Sequence, residues 1–312
     1  MTARTVLVTG ANGFIGRNLV PILEARGYVV RRAVRTGATL ENDIEVGSIG
    51  PATNWEIATA GVDVVIHLAA RVHRPNEEHA GELYRSVNAE GTLQLARAAA
   101  RANVRRFVFL STILVNGSCT DGKAPFTGKD QFSPRGVYGQ SKAAAESGLQ
   151  RIAAESQMSV SIVRPPLVYG RDAVGNFRYL VKAIRTGIPL PFGLVRNRRS
   201  FVSVQNLASF ISVVTELETD SNYKTYLVAD AEQVSLSDFI RRMGSAMGKS
   251  PILVPIPPAL LELAVNATRP GLRDSLLGSL EIDTSAALSI GWRAPFSMDA
   301  GLKLALGTSA LV

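Results

Sequence analysis

Cysteine and histidine are scarce in this chain. The one cysteine, Cys119, cannot close an internal disulfide, and the three histidines, His67, His73 and His79, share no metal-ligand spacing, so neither a disulfide framework nor a bound metal is expected. No stretch approaches the roughly 18 uninterrupted apolar residues that a membrane span requires. The start, Met1 to Thr5, has neither the apolar length nor the cleavage site of a signal peptide. A cytoplasmic protein is therefore expected. A basic stripe interleaved with aromatics is also lacking, which leaves nucleic acid without its usual footprint. There is no internal repeat and no low-complexity linker.

What is present is a chain of 312 residues with 46% hydrophobic content, enough to bury a large core in one domain or two closely joined ones. The net charge is +8, carried mostly by arginine, whose planar fork suits bidentate phosphate binding. That fits a polyanionic ligand. It equally fits ordinary solvated surface, because the arginines are scattered, with short clusters only at Arg31-Arg32 and Arg196 to Arg199.

A β-branched run from Thr5 to Thr9 is followed by Gly10-Ala11-Asn12-Gly13-Phe14-Ile15-Gly16 and then by a periodic apolar stretch, Leu19, Ile22 and Leu23. The order reads as strand, glycine turn, helix. Gly10 allows the tight turn, Gly13 lets backbone approach a pyrophosphate, Gly16 lets helix and strand pack closely, and the helix N-terminus faces the anion. The spacing is GxxGxxG rather than the commoner GxGxxG, and a purely structural glycine turn is the alternative. Gly27 is expected to cap the helix, and Pro21 inside it predicts a kink.

The second strand, residues 29–34, should end beside an adenosine ribose, where NAD-selective proteins usually place an acid. None stands here. Arg35 follows instead and offers a charge-assisted partner to a 2′-phosphate, so NADP(H) is favoured and NAD(H) remains possible. Stacking of Arg35 on adenine with either cofactor is the competing reading. His67-Leu68-Ala69-Ala70 closes a buried parallel strand, its alanines leaving room for a dinucleotide, and His67 reads as a packed core histidine.

Residues 82–102 form a helical pattern carrying Asn88. The strand 106–110 then ends at Ser111 and Thr112, on the edge where open parallel sheets hold ligands. Another strand, 160–163, runs into Arg164-Pro165-Pro166. Alternating strands and helices predict an α/β, doubly wound parallel sheet. Beyond Gly170 the segments 176–177, 189–192 and 199–204 are short or irregular, and a strand returns at Leu227. A capped helix near 237–247, a proline-rich 251–258 and an apolar helix near 260–267 should make a smaller C-terminal lobe. The expected division is 1–170 for the sheet, completed by 200–230, with 171–199 and 231–312 as the lobe.

The chain's chemistry centres on Tyr138-Gly139-Gln140-Ser141-Lys142, which opens a helix. A spacing of four puts the phenol and the ammonium on one helix face, one turn apart. Free tyrosine titrates near ~10, and a fixed cation nearby favours the phenolate, which could then exchange a proton with a sugar hydroxyl. Such pairs are common on helices, so the context decides.

Thr9 to Gly16, His67 to Ala70, Val87-Asn88-Ala89-Glu90-Gly91-Thr92, Ser111-Thr112, Tyr138 with Lys142, and Arg164 to Gly170 together resemble the extended short-chain dehydrogenases/reductases, the nucleotide-sugar epimerase/dehydratase group. The resemblance continues through 199–204, Gly291-Trp292 and Gly301-Leu302, and so covers nearly the whole chain. It implies a Rossmann domain with a substrate-binding lobe. It implies Thr112 as hydroxyl donor, with Ser111 the second choice, Tyr138 as general acid/base, and Lys142 as the residue that binds nicotinamide ribose and lowers the tyrosine. By the same resemblance Gly10, Asn12, Gly13, Phe14, Ile15, Gly16, Leu68, Ala69, Ala70 and Pro165 contact the cofactor together with Arg35. Arg199 and Asn176 match positions at the nucleotide-sugar phosphates, and Arg273 is a looser match.

The departures shape the expected reaction. The 4,6-dehydratases of this group carry an acidic pair after the hydroxyl residue, where this chain has Ile113-Leu114. The UDP-glucose 4-epimerases read Val-Tyr-Gly where Val115-Asn116-Gly117 stands, and hold NAD through the acid missing here. The Asn-Gly variant with Asn197-Arg198-Arg199-Ser200 looks closer to a surface-polysaccharide branch that includes UDP-4-keto-6-deoxy-HexNAc 4-reductases. A reductase acting at C4 of a UDP-sugar is the leading expectation, and a UDP-glucose or UDP-N-acetylglucosamine 4-epimerase is the alternative. A non-catalytic NADP-binding sensor is a distant third, since sensors tend to lose the Tyr or Lys kept here. A UDP-sugar is the expected partner, and a homodimer is left open.

Overall fold

The computed structural model describes residues 4–72, 77–217, 221–268 and 270–307. His73 lies outside the described residues. The central sheet has seven strands in the order β3-β2-β1-β4-β5-β6-β9. These are β1 (Thr5–Thr9), β2 (Val29–Val34), β3 (Asp43–Glu45), β4 (Val64–His67), β5 (Arg106–Leu110), β6 (Ser159–Arg164) and β9 (Tyr223–Leu227). Every neighbouring pair is parallel. A parallel sheet needs both faces covered, and the strands show it residue by residue. In β1, Val6 and Val8 enter a core with Leu19, Leu23, Leu207 and Ile211, while Leu7 points the other way to Leu95, Ala99, Phe107 and Leu149. Period-two alternation thus feeds two cores instead of one core and water.

The helices of the first half are α1 (Gly16–Ala25), α2 (Glu56–Thr59), α3 (Ala80–Tyr84), α4 (Gly91–Arg101) and α5 (Gly136–Glu155). The helix predicted over 82–102 is interrupted: a π-helical stretch, Arg85–Glu90, joins α3 to α4 and carries the fully buried Asn88. Such wide turns often occur where function is placed. Pro21 sits inside α1 on its exposed side, where water can replace the missing N–H, and the helix continues through it. Gly27, at φ +82°, closes that helix as expected, with Tyr28 N–H reaching back to the Leu23 carbonyl.

A second, three-stranded sheet has the order β10-β8-β7, with β7 (Leu167–Tyr169), β8 (Arg199–Ser203) and β10 (Gln233–Val234). Residues 199–204, read from the sequence as irregular or short, are largely this strand. Around it lie α6 (Asn176–Thr186), α7 (Val204–Glu216), α8 (Leu236–Ala246), α9 (Pro258–Thr268), α10 (Arg273–Leu276), α11 (Ser285–Ser289) and α12 (Met298–Leu306). Helix α7 went unread in the sequence because it is buried against α1 and the main sheet, and its apolar residues mask a single-face period. Ser203, Ser235 and Ser297 cap α7, α8 and α12 through hydroxyl oxygens that accept from Asn206, Asp238 and Ala300 N–H. A third core, built on Tyr169, Phe177, Phe201, Phe239, Ile240 and Leu302, holds this smaller C-terminal part together. Chain direction across the large sheet reverses between β1 and β4, the switch point at which such folds open a ligand crevice.

Candidate active site

A cleft of about 670 Å³ opens at that switch point. Gly10, Asn12, Gly13, Arg35, Ala69 and Ala70 line it, together with Val46 to Ile49 and Arg71. Gly10 has φ +71°, and a Cβ there would lie 2.9 Å from the Ala69 nitrogen; a Cβ on Gly16 would lie 2.3 Å from the Gly10 carbonyl oxygen. The turn therefore exists only with glycine at both positions. Phe14 packs instead with the core of the smaller part, Ile15 and Leu68 pack under the sheet, and Pro165 accepts from Ile113 N–H through its carbonyl. None of these four expected cofactor residues is among those lining the cleft.

Among the described residues no carboxylate lines the cleft and two arginines do, of which Arg71 is paired with Glu77. Arg31 is used on the Ala58 and Ala60 carbonyls, and Arg32 on Asp43. Arg35, past the end of β2, stays exposed at the cleft. A backbone-lined glycine turn, small alanines and positive charge fit a dinucleotide's pyrophosphate and ribose.

Thr9, next to Gly10 in the chain, and His67, two residues before Ala69, belong to a buried network of hydroxyl and imidazole groups. His67 is fully buried; its Nδ1 and the Thr9 hydroxyl are 2.6 Å apart, and its Nε2 and the Thr92 hydroxyl 3.0 Å. Thr92 gives its one proton to the Asn88 carbonyl. The Nε2 of His67 must then donate to Thr92 and the Nδ1 accept from Thr9. Burial, helped by the charge of Lys142, lowers His67 to about 3, so it is neutral and structural, as a core histidine should be. Asn88 spends its whole amide on the loop and on α5: Oδ1 accepts from Arg71 N–H at 2.7 Å, and Nδ2 donates to the Arg71 carbonyl and to the Ser141 hydroxyl, each at 3.0 Å.

Helix α5 presents Tyr138 and Lys142 on one face, as the spacing predicts. Its first turn is fastened to the segment after Thr112: Arg135 N–H donates to the Leu114 carbonyl, and a Cβ on Gly139 would lie 2.9 Å from that oxygen. Thr112 is nearly buried, and its hydroxyl oxygen accepts from Leu114 N–H at 3.3 Å. Lys142 is 1% exposed; its Nζ donates to the Leu110 carbonyl at 2.8 Å and lies 4.3 Å from the Phe109 ring centroid and 6.0 Å from that of Tyr138.

Burial works against the lowering of the tyrosine expected from Lys142. Burial pushes the Tyr138 phenol up, and neighbouring Tyr84 adds to the effect. Burial likewise lowers Lys142 to about 7, partly opposed by the charge of Glu146. Burial is the largest cause for both groups, and the ammonium lies 6.0 Å from the centre of the phenol ring.

Other expected residues are placed differently. The Ser111 hydroxyl donates to the Glu146 carboxylate and is not available to a ligand, which leaves Thr112 as the hydroxyl at this strand end. Asn176 is the exposed first residue of α6. Arg199, nearly buried, uses Nη1 on the Asp274 and Gly278 carbonyls and so ties the α10 region to β8; burial lowers it to about 10. Arg273 pairs with Glu262, Asp121 and Asp274. Three carboxylates around one guanidinium leave little positive charge for a phosphate. The sequence reading also passed over Glu146, which a further step of four along the Tyr138–Lys142 face would have reached.

Parallel strands with a glycine turn at the switch point and a Tyr–Lys pair beside a strand-end hydroxyl define the extended short-chain dehydrogenase/reductase class. The chain belongs to the NAD dependent epimerase/dehydratase family, whose profile matches residues 6–229. It is 36% identical to a UDP-glucose 4-epimerase of Vibrio cholerae over 308 residues, covering 96% of this chain and 94% of that one. It is 30% identical to a 3-beta-hydroxysteroid dehydrogenase of Mycolicibacterium neoaurum, covering 78% and 70% of the two chains. The fold matches a Thermus thermophilus UDP-glucose 4-epimerase in complex with NAD, with a TM-score of 0.78 at 23% identity over 99% and 100% of the chains. Among the described residues, no helix is long and apolar enough to cross a membrane, and no cluster of three or more His, Cys, Asp or Glu could hold a metal ion.

Proposed function

We propose that the protein is an NAD-using 4-epimerase of UDP-hexoses. This reverses the order expected from the sequence, where the reductase stood first. The carrying observation is the 36% identity with a UDP-glucose 4-epimerase across 96% of the chain. Bound in the cleft, the dinucleotide would supply the two-electron acceptor and donor and, when oxidised, a positive charge that favours ionisation of Tyr138. Tyr138, in its ionised form, would take the proton of the sugar C4 hydroxyl as hydride leaves C4, and would return it when hydride comes back to the opposite face. The Thr112 hydroxyl hydrogen-bonds the same oxygen, and the Lys142 ammonium, held by the Leu110 carbonyl, stabilises the phenolate. Arg199 carries its buried charge toward the substrate diphosphate, since both of its hydrogen bonds end on backbone carbonyls rather than on carboxylates.

The test is interconversion of UDP-glucose with UDP-galactose, or of the N-acetyl pair, by purified protein with no cofactor added. Tyr138→Phe should lose roughly 10²-fold or more in kcat, the usual scale for a general acid/base. One observation supports a second reading, NADPH-dependent reduction of a UDP-4-keto-6-deoxy sugar: among the described residues no carboxylate lines the cleft, and Arg35 at its rim would be a charge-assisted partner for a 2′-phosphate. Stoichiometric NADPH consumption with such a sugar, and no interconversion of the hexoses, would establish that reading instead.

A further inference from the structure

Glu146 is fully buried one turn beyond Lys142 on α5. Its carboxylate accepts from the Ser111 hydroxyl and from Arg164, whose Nε lies 3.0 Å and 3.1 Å from the two oxygens. Arg164, also buried, sends Nη1 to the Asn116 side-chain oxygen at 2.8 Å and stacks under Phe132. Asn116 in turn donates to the Thr127 carbonyl at 2.8 Å. One carboxylate thereby joins the end of β5, the middle of α5, the end of β6 and the loop that carries Phe132. A buried ion pair of this kind costs desolvation and is not needed for stability, since apolar residues of similar volume would serve.

We propose that Glu146 is a positioning residue for the reaction: it anchors Ser111, and through the next peptide the Thr112 hydroxyl, while it sets a counter-charge one turn from Lys142. The inference rests on the proposed reaction for its kinetic meaning, though not for its test. The groups facing Lys142 are Glu146 and Tyr138 on its own helix, His67 on β4, and the Phe109 ring and Leu110 carbonyl on β5. His67 is neutral and Tyr138 un-ionised in this arrangement. The negative charge next to the ammonium is therefore that of Glu146.

The experiment compares wild type with Glu146→Gln and with the double variant Glu146→Gln/Arg164→Gln, each checked by thermal melting. The double variant removes both buried charges and so remains folded if the single variant does not. Lysine ε-carbon NMR, without substrate, follows the titration of Lys142, identified by its loss in Lys142→Met. The counter-charge role predicts that the Lys142 midpoint falls by at least about one pH unit in the folded variants. It also predicts that the alkaline limb of kcat moves down with it while KM for the UDP-sugar changes little. A midpoint and limb unmoved in the folded double variant would show Glu146 to be merely Arg164's partner and would overturn the proposal. The titration needs no turnover, so a wrong assignment of the sugar would leave this result standing.

Discussion

The ammonium of Lys142 lies 4.3 Å from the centre of the Phe109 ring and donates to the carbonyl of the next residue, Leu110. A cation held this way gains from the ring face and one carbonyl and loses its water, and the loss is larger: burial brings it to about 7.

That balance gives stability a pH dependence. The unfolded chain holds the lysine proton up to about 10.4 and the folded chain only to about 7, so between these values the unfolded state binds more protons and stability rises with pH. Below the folded value the full penalty is present. Lys142→Met should therefore raise the free energy of unfolding most near about pH 6, by up to about 5 kcal/mol, with the gain, read as the melting temperature against pH, shrinking toward about pH 10. A gain that grew with pH would contradict the burial account. Activity is lost at every pH.

Gly139 sets the distance between Tyr138 and the Thr112 strand end, since a Cβ would come within 2.9 Å of the Leu114 carbonyl. Gly139→Val should cost about 1–3 kcal/mol by overpacking and lower kcat, because the start of α5 must move away from Thr112. Chemical denaturation and steady-state kinetics on the same preparation read both effects. Full activity in this variant would show that the contact does not position the phenol.

Arg35 stands exposed at the rim of the cleft, which no carboxylate lines among the described residues. Arg35→Asp should reduce kcat/KM or binding with NADP(H) by roughly tenfold or more and leave NAD(H) less affected, because the acid repels a 2′-phosphate and accepts from a 2′-hydroxyl. Equal losses with both dinucleotides would mean that Arg35 acts by stacking on adenine.

Arg199 is nearly buried and bonds the carbonyls of Asp274 and Gly278. Lysine lacks the planar fork, so Arg199→Lys should both lower stability, by about 1–3 kcal/mol, and raise KM for the UDP-sugar. Arg273→Ala, which removes a guanidinium already matched by three carboxylates, should leave KM nearly unchanged. Melting curves and KM values for the two variants separate the roles, and a KM rise in Arg273→Ala alone would exchange them.

What the sequence determined by itself is whatever is local in the chain. The turn from Gly10 to Gly16 can be read because its backbone admits only glycine at the positive φ of Gly10 and at the close approach of Gly16. The Tyr138–Lys142 pair can be read because helix geometry alone puts residues four apart on one face. Helix α7 could not, since burial beneath a parallel sheet erases the polar face that makes a helix visible. Nor could the placement of Ser111, Arg199 and Arg273, chemically sensible site residues whose partners are Glu146, a pair of backbone carbonyls and three carboxylates. Those partners, Asp274 aside, lie far away in the chain or are main-chain atoms that no side-chain pattern records. The charge state around Tyr138 was likewise decided only in three dimensions, because desolvation depends on the packing of β5, α3 and α5 and not on the four-residue spacing.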